Sequence, residues 1–352
     1  IMLKKLIVSV LLCILILSSW VGTQGFSFLT QAPSETYKEQ IFEVKTGTFT
    51  QNAIRLQREG LITNSRYFIW YAKFRGDTTR LKKGEYRLSA NFTPKQILEE
   101  LTSGNVVKYP LTIPEGYNIY DIAALVEAKS LATREDFLKF ATDASLATKI
   151  IERPVPSFEG FLFPETYNFS KSEGAKGMVI AMATQFKKVY DQILRDPNLM
   201  QLPFIEHVTM ASMIEKETGD GEERELISSV FHNRLRKHMR LQSDPTILYG
   251  IMIEDGVWKQ NIQKADILRS TKYNTYTIPG LPPAPIANPG EEALRAALNP
   301  ADTQYLYFVS KNNGTHVFTK TYQDHNKAVR DFQLNRKARE GKSWRNKEKT
   351  TK

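Results

Sequence analysis

One long apolar run stands in this chain, Leu6 to Val21, directly behind Lys4 and Lys5. Such a run leaves two main fates, a membrane span or a cleaved leader. Weakly apolar sequence continues to Leu29, so the segment reaches about 20 residues if Trp20 to Phe28 lie in the interface. Ser18-Ser19-Trp20-Val21-Gly22 offers no clear small-x-small cleavage site, and Leu12 is too large to precede a lipid-attachment cysteine. The expectation is a retained single-pass transmembrane helix within residues 1–29. Lys4 and Lys5 would stay in the cytoplasm and the rest of the chain would face outward. No second run of this kind occurs, which excludes a polytopic membrane protein.

The 352 residues predict two domains more readily than one, and 41% apolar with 24% charged residues excludes wholesale disorder. The single cysteine, Cys13, lies inside the apolar run. No disulfide within the chain and no cysteine-held metal cluster can form. The net charge of +10 is unevenly placed: Arg336 to Lys352 carry eight basic residues against two acids. That tail reads as disordered, because it has almost no apolar residues to bury. The remainder is only mildly basic, and nucleic acid is not an expected partner.

Punctuation divides the chain further. Residues 30–40, with Pro33, read as a linker. Ile41 to Val44 alternates as a strand, Ala53 to Glu59 and Tyr67 to Lys73 are helical, and Gly84 to Leu88 is a strand. Thr93 caps a helix through Leu101 that Gly104 ends. Val44-Lys45-Thr46-Gly47 before Ala53-Ile54-Arg55-Leu56, and Ile113-Pro114-Glu115-Gly116 before Ile122-Ala123-Ala124-Leu125, repeat a strand, glycine turn and helix, a unit common enough to recur by chance. Further helices are expected at Tyr120 to Glu127, Arg134 to Ala141, Gly177 to Leu194, Glu223 to His238 and Glu291 to Ala297. Tyr305 to Val309 and His316 to Thr319 read as a hairpin about Asn312-Asn313-Gly314. The fold class is α+β: a small βα subdomain over 41–108 and a larger mixed domain over 109–334.

Several chemistries are missing. There is no H-E-x-x-H, no phosphate-cradling G-x-x-x-x-G-K-[ST] and no G-x-S-x-G. Lys45-Thr46-Gly47 matches one box of penicillin-binding enzymes, yet no S-x-x-K supplies the nucleophile. The five histidines, His207, His232, His238, His316 and His325, show no metal-ligand spacing, and neither metal nor cofactor is expected.

What remains is a carboxyl on an unexpected face. In a helix from Ile205 to Thr218, stopped by Gly219, Glu217 follows Ile214, Met213 and Met210 by three, four and seven residues and shares their apolar stripe. Glu215 points nearer Val208, Ala211 and Ser212. Desolvation raises a carboxyl pKa, and the negative end of the helix dipole raises it again. A glutamic acid can thereby hold its proton near neutral pH and donate it. The competing reading is a solvated Glu215-Lys216-Glu217 edge. Downstream, Leu241-Gln242-Ser243-Asp244-Pro245-Thr246 and Tyr273-Asn274-Thr275-Tyr276 gather amides, hydroxyls and aromatic rings into irregular segments. Amides and hydroxyls bond sugar hydroxyls, and rings stack on sugar faces. Gln242, Asp244, Thr246, Tyr273, Asn274, Thr275 and Tyr276 are the candidate substrate contacts. Tyr273 and Tyr276 could equally be core residues with satisfied hydroxyls.

The motifs Ala211-Ser212-Met213-Ile214-Glu215-Lys216-Glu217-Thr218, Ser229-Val230-Phe231-His232-Asn233-Arg234-Leu235, Met239-Arg240-Leu241-Gln242-Ser243-Asp244-Pro245-Thr246 and Tyr273-Asn274-Thr275-Tyr276 occur in this order. With Glu159-Gly160-Phe161-Leu162-Phe163-Pro164-Glu165-Thr166-Tyr167 and His325-Asn326, they resemble the YceG-like family from the anchor to about Leu334. The resemblance implies an inner-membrane anchor, a LysM-like subdomain near 41–108 and a periplasmic domain that cuts peptidoglycan as an endolytic lytic transglycosylase. The second glutamate of the family's E-K-E motif is catalytic, which maps onto Glu217. As acid, it would protonate the oxygen between N-acetylmuramic acid and N-acetylglucosamine. The sugar's own 6-hydroxyl would then attack C1, leaving a 1,6-anhydro end without water. The usual second glycosidase carboxylate is not needed, although Asp244 or Glu165 could provide one. His232 departs from the family, standing where an apolar residue is expected, and the basic tail has no family counterpart. Two other classes fit the same residues: a noncatalytic peptidoglycan-binding scaffold that recruits cell-wall synthases, and a hydrolase with water as nucleophile.

Overall fold

The structure, a computed structural model, describes residues 2–45, 47–217 and 221–335. The expected helix stop at Gly219 and the basic tail from Arg336 lie outside the described residues. The chain divides into two units, Ile1–Tyr109 with Asn168–Gly174, and Pro110–Tyr167 with Ala175–Lys352.

In the first unit, α1 (Met2–Thr30) carries the apolar run. Among the described residues, no helix is long and apolar enough to cross a membrane. Gly22-Thr23-Gln24-Gly25 is polar and small, and Phe28 is drawn into the unit's own core, edge-on to Tyr67 at 5.7 Å. The expected transmembrane helix is not a feature of the described residues. The segment after Thr30 is irregular until β1 (Glu39–Val44).

β1 pairs antiparallel with β2 (Gly84–Ser89), Phe42 lying opposite Tyr86. Between the strands come α2 (Phe49–Arg58) and α3 (Ser65–Arg75), and α4 (Pro94–Ser103) follows. The helix ends obey local chemistry. Thr48 and Gln51 form a reciprocal capping box on α2, and Thr93 with Gln96 does the same on α4. Pro94 occupies the first turn of α4, and Gly104 closes it in the left-handed region at φ 82°. The period-2 strand faces and period-3.6 helix faces meet in one core: Phe42, Leu56, Leu61, Phe68, Leu88 and Ile97 are wholly or almost wholly buried.

β3 (Tyr109–Thr112) and β4 (Thr166–Phe169) form a second two-stranded sheet. Between them lie α5 (Ile119–Ala128), α6 (Arg134–Ala141) and α7 (Ala144–Ile151). The rest of the second unit is α8 (Gly174–Ile193), α9 (Phe204–Glu217), α10 (Arg224–Arg236), α11 (Asp244–Asp255), α12 (Lys264–Leu268), α13 (Glu291–Leu298), the β5–β6 hairpin (Tyr307–Ser310, His316–Thr319) and α14 (Tyr322–Val329). The class is α+β, with three two-stranded sheets among the described residues.

α9 lies at the centre of the second unit. α10, α11 and α13 pack on it, and every residue from His207 to Glu215 is buried. His207 shows the cost of that placement. Its two ring nitrogens are satisfied by Tyr190 Oη at 3.0 Å and the Leu294 carbonyl at 2.7 Å. Burial pulls its pKa down to about 4, so the ring stays neutral.

Candidate active site

α9 is buried all round, so an apolar stripe does not distinguish its two glutamates. Glu215 is the more enclosed, at 9% exposed, whereas Glu217 keeps part of its surface open. Their partners separate them. Glu215 Oε2 accepts from the Gly290 N–H at 3.0 Å, and Arg224 Nη2 lies 3.5 Å from its Oε1. Arg224 also reaches Glu115 Oε2 at 3.3 Å and pairs with Glu292. Glu215 is thus tied to the start of α13 and to a guanidinium. Burial still raises its pKa, while the Gly290 bond and Arg224 pull the other way.

Glu217 ends α9. Its Oε1 accepts one short bond, 2.5 Å, from the Ser243 hydroxyl. Crowding by protein raises its pKa to about 7. The Ser243 bond and the positive charge of Arg234 oppose that rise, and the negative charge of Asp244 adds to it. A carboxyl at that value is populated in both states near neutrality. It can give up a proton in one step and accept one in the next.

Ser243 is the N-cap of α11, whose first turn holds Asp244 and Pro245. The segment read as irregular is therefore a loop turning into a helix at Asp244, with proline at the position where a missing N–H costs nothing. Two buried threonine hydroxyls fix the cap. Thr275 Oγ1 accepts from the Ser243 N–H at 2.9 Å, Thr246 Oγ1 donates to the Ser243 carbonyl at 2.6 Å, and the two threonine hydroxyls lie 2.9 Å apart. Asn274 Nδ2 donates to the carbonyls of Ile267 and Arg269 at 3.1 and 2.6 Å, which pins the following loop to the end of α12. Thr246, Asn274 and Thr275 are fully buried. These three, expected as substrate contacts, hold the frame that aims Ser243 at Glu217.

The other four candidates keep exposed surface: Gln242 and Asp244 are exposed, Tyr273 and Tyr276 half-buried. Tyr276 Oη donates to Asp244 Oδ1 at 2.7 Å. Gln242 has φ 49°, a left-handed conformation uncommon for such a residue, and its N–H donates to the Thr275 carbonyl at 3.2 Å. Tyr273 stacks edge-on against Tyr249 at 4.9 Å. Glu165 is exposed, and its backbone carbonyl accepts from Ile113.

Arg234, from α10, braces this loop from behind. Its Nη1 donates to the Leu241 carbonyl at 2.7 Å, its Nε to the Leu306 carbonyl at 2.7 Å, and its guanidinium lies over the Tyr307 ring at 5.3 Å. His232, two residues earlier, satisfies its ring Nε2 with the Ala297 carbonyl at 2.9 Å, which explains how a histidine is tolerated where an apolar residue was expected.

Sequence reasoning did not single out Ser243, Arg234 or Glu159 as site residues, although all three lie inside the motifs. Glu159 is a second buried carboxyl, pushed up to about 8 by burial. It accepts from Tyr249 Oη at 2.9 Å and from the Ile119 N–H at 3.2 Å, and Asn288 Nδ2 reaches it at 3.3 Å. The available signal was the glycine directly after Glu159. Gly160 sits at φ 87°, and a Cβ there would lie 2.4 Å from Pro285.

Fold and site define an α+β protein built round one general-acid candidate, framed by buried hydroxyls and edged by exposed amide, carboxylate and tyrosine groups. The chain belongs to the YceG-like family, which it matches over residues 42–331. It is 32% identical over 295 residues to an endolytic murein transglycosylase of Bacillus subtilis, covering 79% of this chain and 80% of that one. An endolytic murein transglycosylase of Streptococcus pneumoniae is 31% identical over 305 residues, 78% of this chain and 54% of that longer protein. The crystal structure of a yceG-like protein from Listeria monocytogenes superposes with a TM-score of 0.55 at 32% identity, over 83% of this chain and 100% of that one.

Proposed function

We propose that this chain is a peptidoglycan lytic transglycosylase that cuts within glycan strands, with Glu217 as its acid and base. The single observation that carries the reading is the Glu217 carboxyl, raised to about 7 and held by one hydroxyl at 2.5 Å. The names of the relatives supply the substrate class. Protonated Glu217 donates to the oxygen linking N-acetylmuramic acid to N-acetylglucosamine, and the C1–O bond breaks toward an oxocarbenium-like centre. The Glu217 carboxylate then takes the proton of the muramic acid 6-hydroxyl as that oxygen bonds to C1. The proton lost in the first step is regained in the second, and a 1,6-anhydro end results without water. Gln242, Asp244, Tyr273 and Tyr276 are the groups with surface left to meet the sugars.

The same reading places 41–108 as a LysM-like module, supported by the compact packing of β1, α2, α3 and β2, and 109–334 as the catalytic domain. Leu6 to Val21 would anchor the chain in the membrane with the catalytic domain on the outer side, where cell-wall synthases could be partners. The test is product analysis on purified glycan strands. Anhydro ends that vanish with Glu217→Gln support it. Reducing ends would replace it with a hydrolase in which Asp244, beside Glu217, activates water. Strand binding without cleavage would leave a scaffold.

A further inference from the structure

α3 carries two apolar stripes; the core of the first unit buries one and touches the other only along Tyr67 and Tyr71, leaving Trp70 and Phe74 out. At about 100° per residue, Ser65, Phe68 and Ala72 share a face, and all three are buried. Tyr67, Trp70, Tyr71 and Phe74 recur at the i, i+3, i+4, i+7 spacing on the opposite side. Trp70 is 78% exposed and Phe74 91%. Contiguous aromatic surface of this kind marks an interaction site. The stripe walls a groove of about 390 Å³ whose other wall is Gly25, Phe28 and Leu29 of α1, with Arg66 at its rim.

Three observations select the occupant. The second wall belongs to α1, so the aromatic face is continuous with the helix that holds the apolar run Leu6 to Val21. Tryptophan and tyrosine rings, apolar in body and polar at one atom, are the side chains that concentrate where a bilayer meets water. The flanks are basic: Arg66 and Lys73 lie along one edge of the stripe and Arg75 along the other, and the helix contains no acid. A soluble apolar ligand would gain little from those flanks, whereas anionic headgroups would gain from each.

We propose that the Tyr67–Trp70–Tyr71–Phe74 face of α3 seats this unit in the headgroup layer of an anionic bilayer, with Trp70 and Phe74 entering the acyl boundary. The inference rests on the anchoring part of the function proposed above and is independent of glycan cleavage.

The test uses the full chain carrying Trp20→Phe, Trp258→Phe and Trp344→Phe, which leaves Trp70 as the only one of four tryptophans. It is reconstituted into phosphatidylglycerol–phosphatidylcholine vesicles whose acyl chains are brominated either near the headgroup or near the methyl end. The chain is expected to float with the vesicles, and Trp70 emission to shift to shorter wavelength and to be quenched more by the shallow bromines. Flotation with water-like, unquenched Trp70 emission overturns the interface and leaves the anchor standing. Absence of flotation overturns both. A wavelength shift that appears without lipid and grows with protein concentration assigns the face to a second copy and also overturns the proposal. Phe74→Ser in the same background changes a side chain the core does not need. It is expected to lessen the quenching with the far-ultraviolet dichroism unchanged, and unaltered quenching would count against the seat.

Discussion

Glu217 and Glu215 stand two residues apart on one helix and differ in what holds them. Glu217→Gln keeps the shape and removes the titrating proton, so strand cleavage is expected to fall by at least about 10²-fold, with the melting temperature little changed. Glu215→Gln weakens the bonds to Gly290 and Arg224. Its expected signature is lost stability, about 1–3 kcal/mol by denaturant titration, with a smaller loss of turnover. The reverse pattern would move the acid to Glu215. Ser243 gives a second test through pH. The proton-donating form of Glu217 is lost as pH rises through about 7, so the rate should decline there. The Ser243 hydroxyl favours the charged carboxylate. Ser243→Ala should therefore raise the Glu217 pKa, move the alkaline limb of the rate profile to higher pH and lower the maximum rate. An unmoved alkaline limb would mean that Ser243 does not tune the acid.

Between elements, Glu159 is the junction. One carboxyl meets the first N–H of α5, the phenol of Tyr249 on α11 and the amide of Asn288 ahead of α13. Burial raises its pKa from an ordinary carboxyl value of 4.5 to about 8. The folded state therefore binds this proton more tightly than the unfolded chain does. The contribution is fully present below the unfolded value and is lost as pH rises through about 8. Urea midpoints measured across that window should fall with rising pH in the parent chain and fall less in Glu159→Gln. Equal slopes would show that the junction does not titrate. Elements with local punctuation were legible in the sequence. Thr93 and Gly104 bracket α4, α6 runs over Arg134–Ala141 and β6 over His316–Thr319, each as its residues predict. α11 was not, because Ser243-Asp244-Pro245 spells a turn and a helix start equally well, and only the buried threonines around Ser243 decide between them. Likewise the bonds that Thr246, Asn274 and Thr275 make inside the protein are not visible in their polarity alone. The apolar stripe that the sequence suggests for Glu217 does not set it apart in the structure. α9 is central rather than amphipathic, and bonding partners, not a stripe, single out its last residue.

At the scale of the whole chain, charge is the property the fold does not use up. The net charge is +10, and Arg336 to Lys352 hold eight basic residues against two acids, which leaves +4 for everything before them. A short segment at +6 attracts anionic surfaces whatever its conformation, and the expected environment offers two, lipid headgroups and the peptide carboxylates of the wall. Contacts of this type are exposed and act over a Debye length of about 8 Å at physiological ionic strength. Deleting 336–352 should therefore leave the glycan product and its rate of formation on soluble strands unchanged, since the Glu217–Ser243 frame is complete without it. Retention on purified peptidoglycan or anionic vesicles should weaken at low salt, and the difference between full and shortened chains should shrink as salt is added. A fall in turnover on soluble strands would place the tail in the working site. A retention difference that persists at high salt would mean that its contacts are not electrostatic.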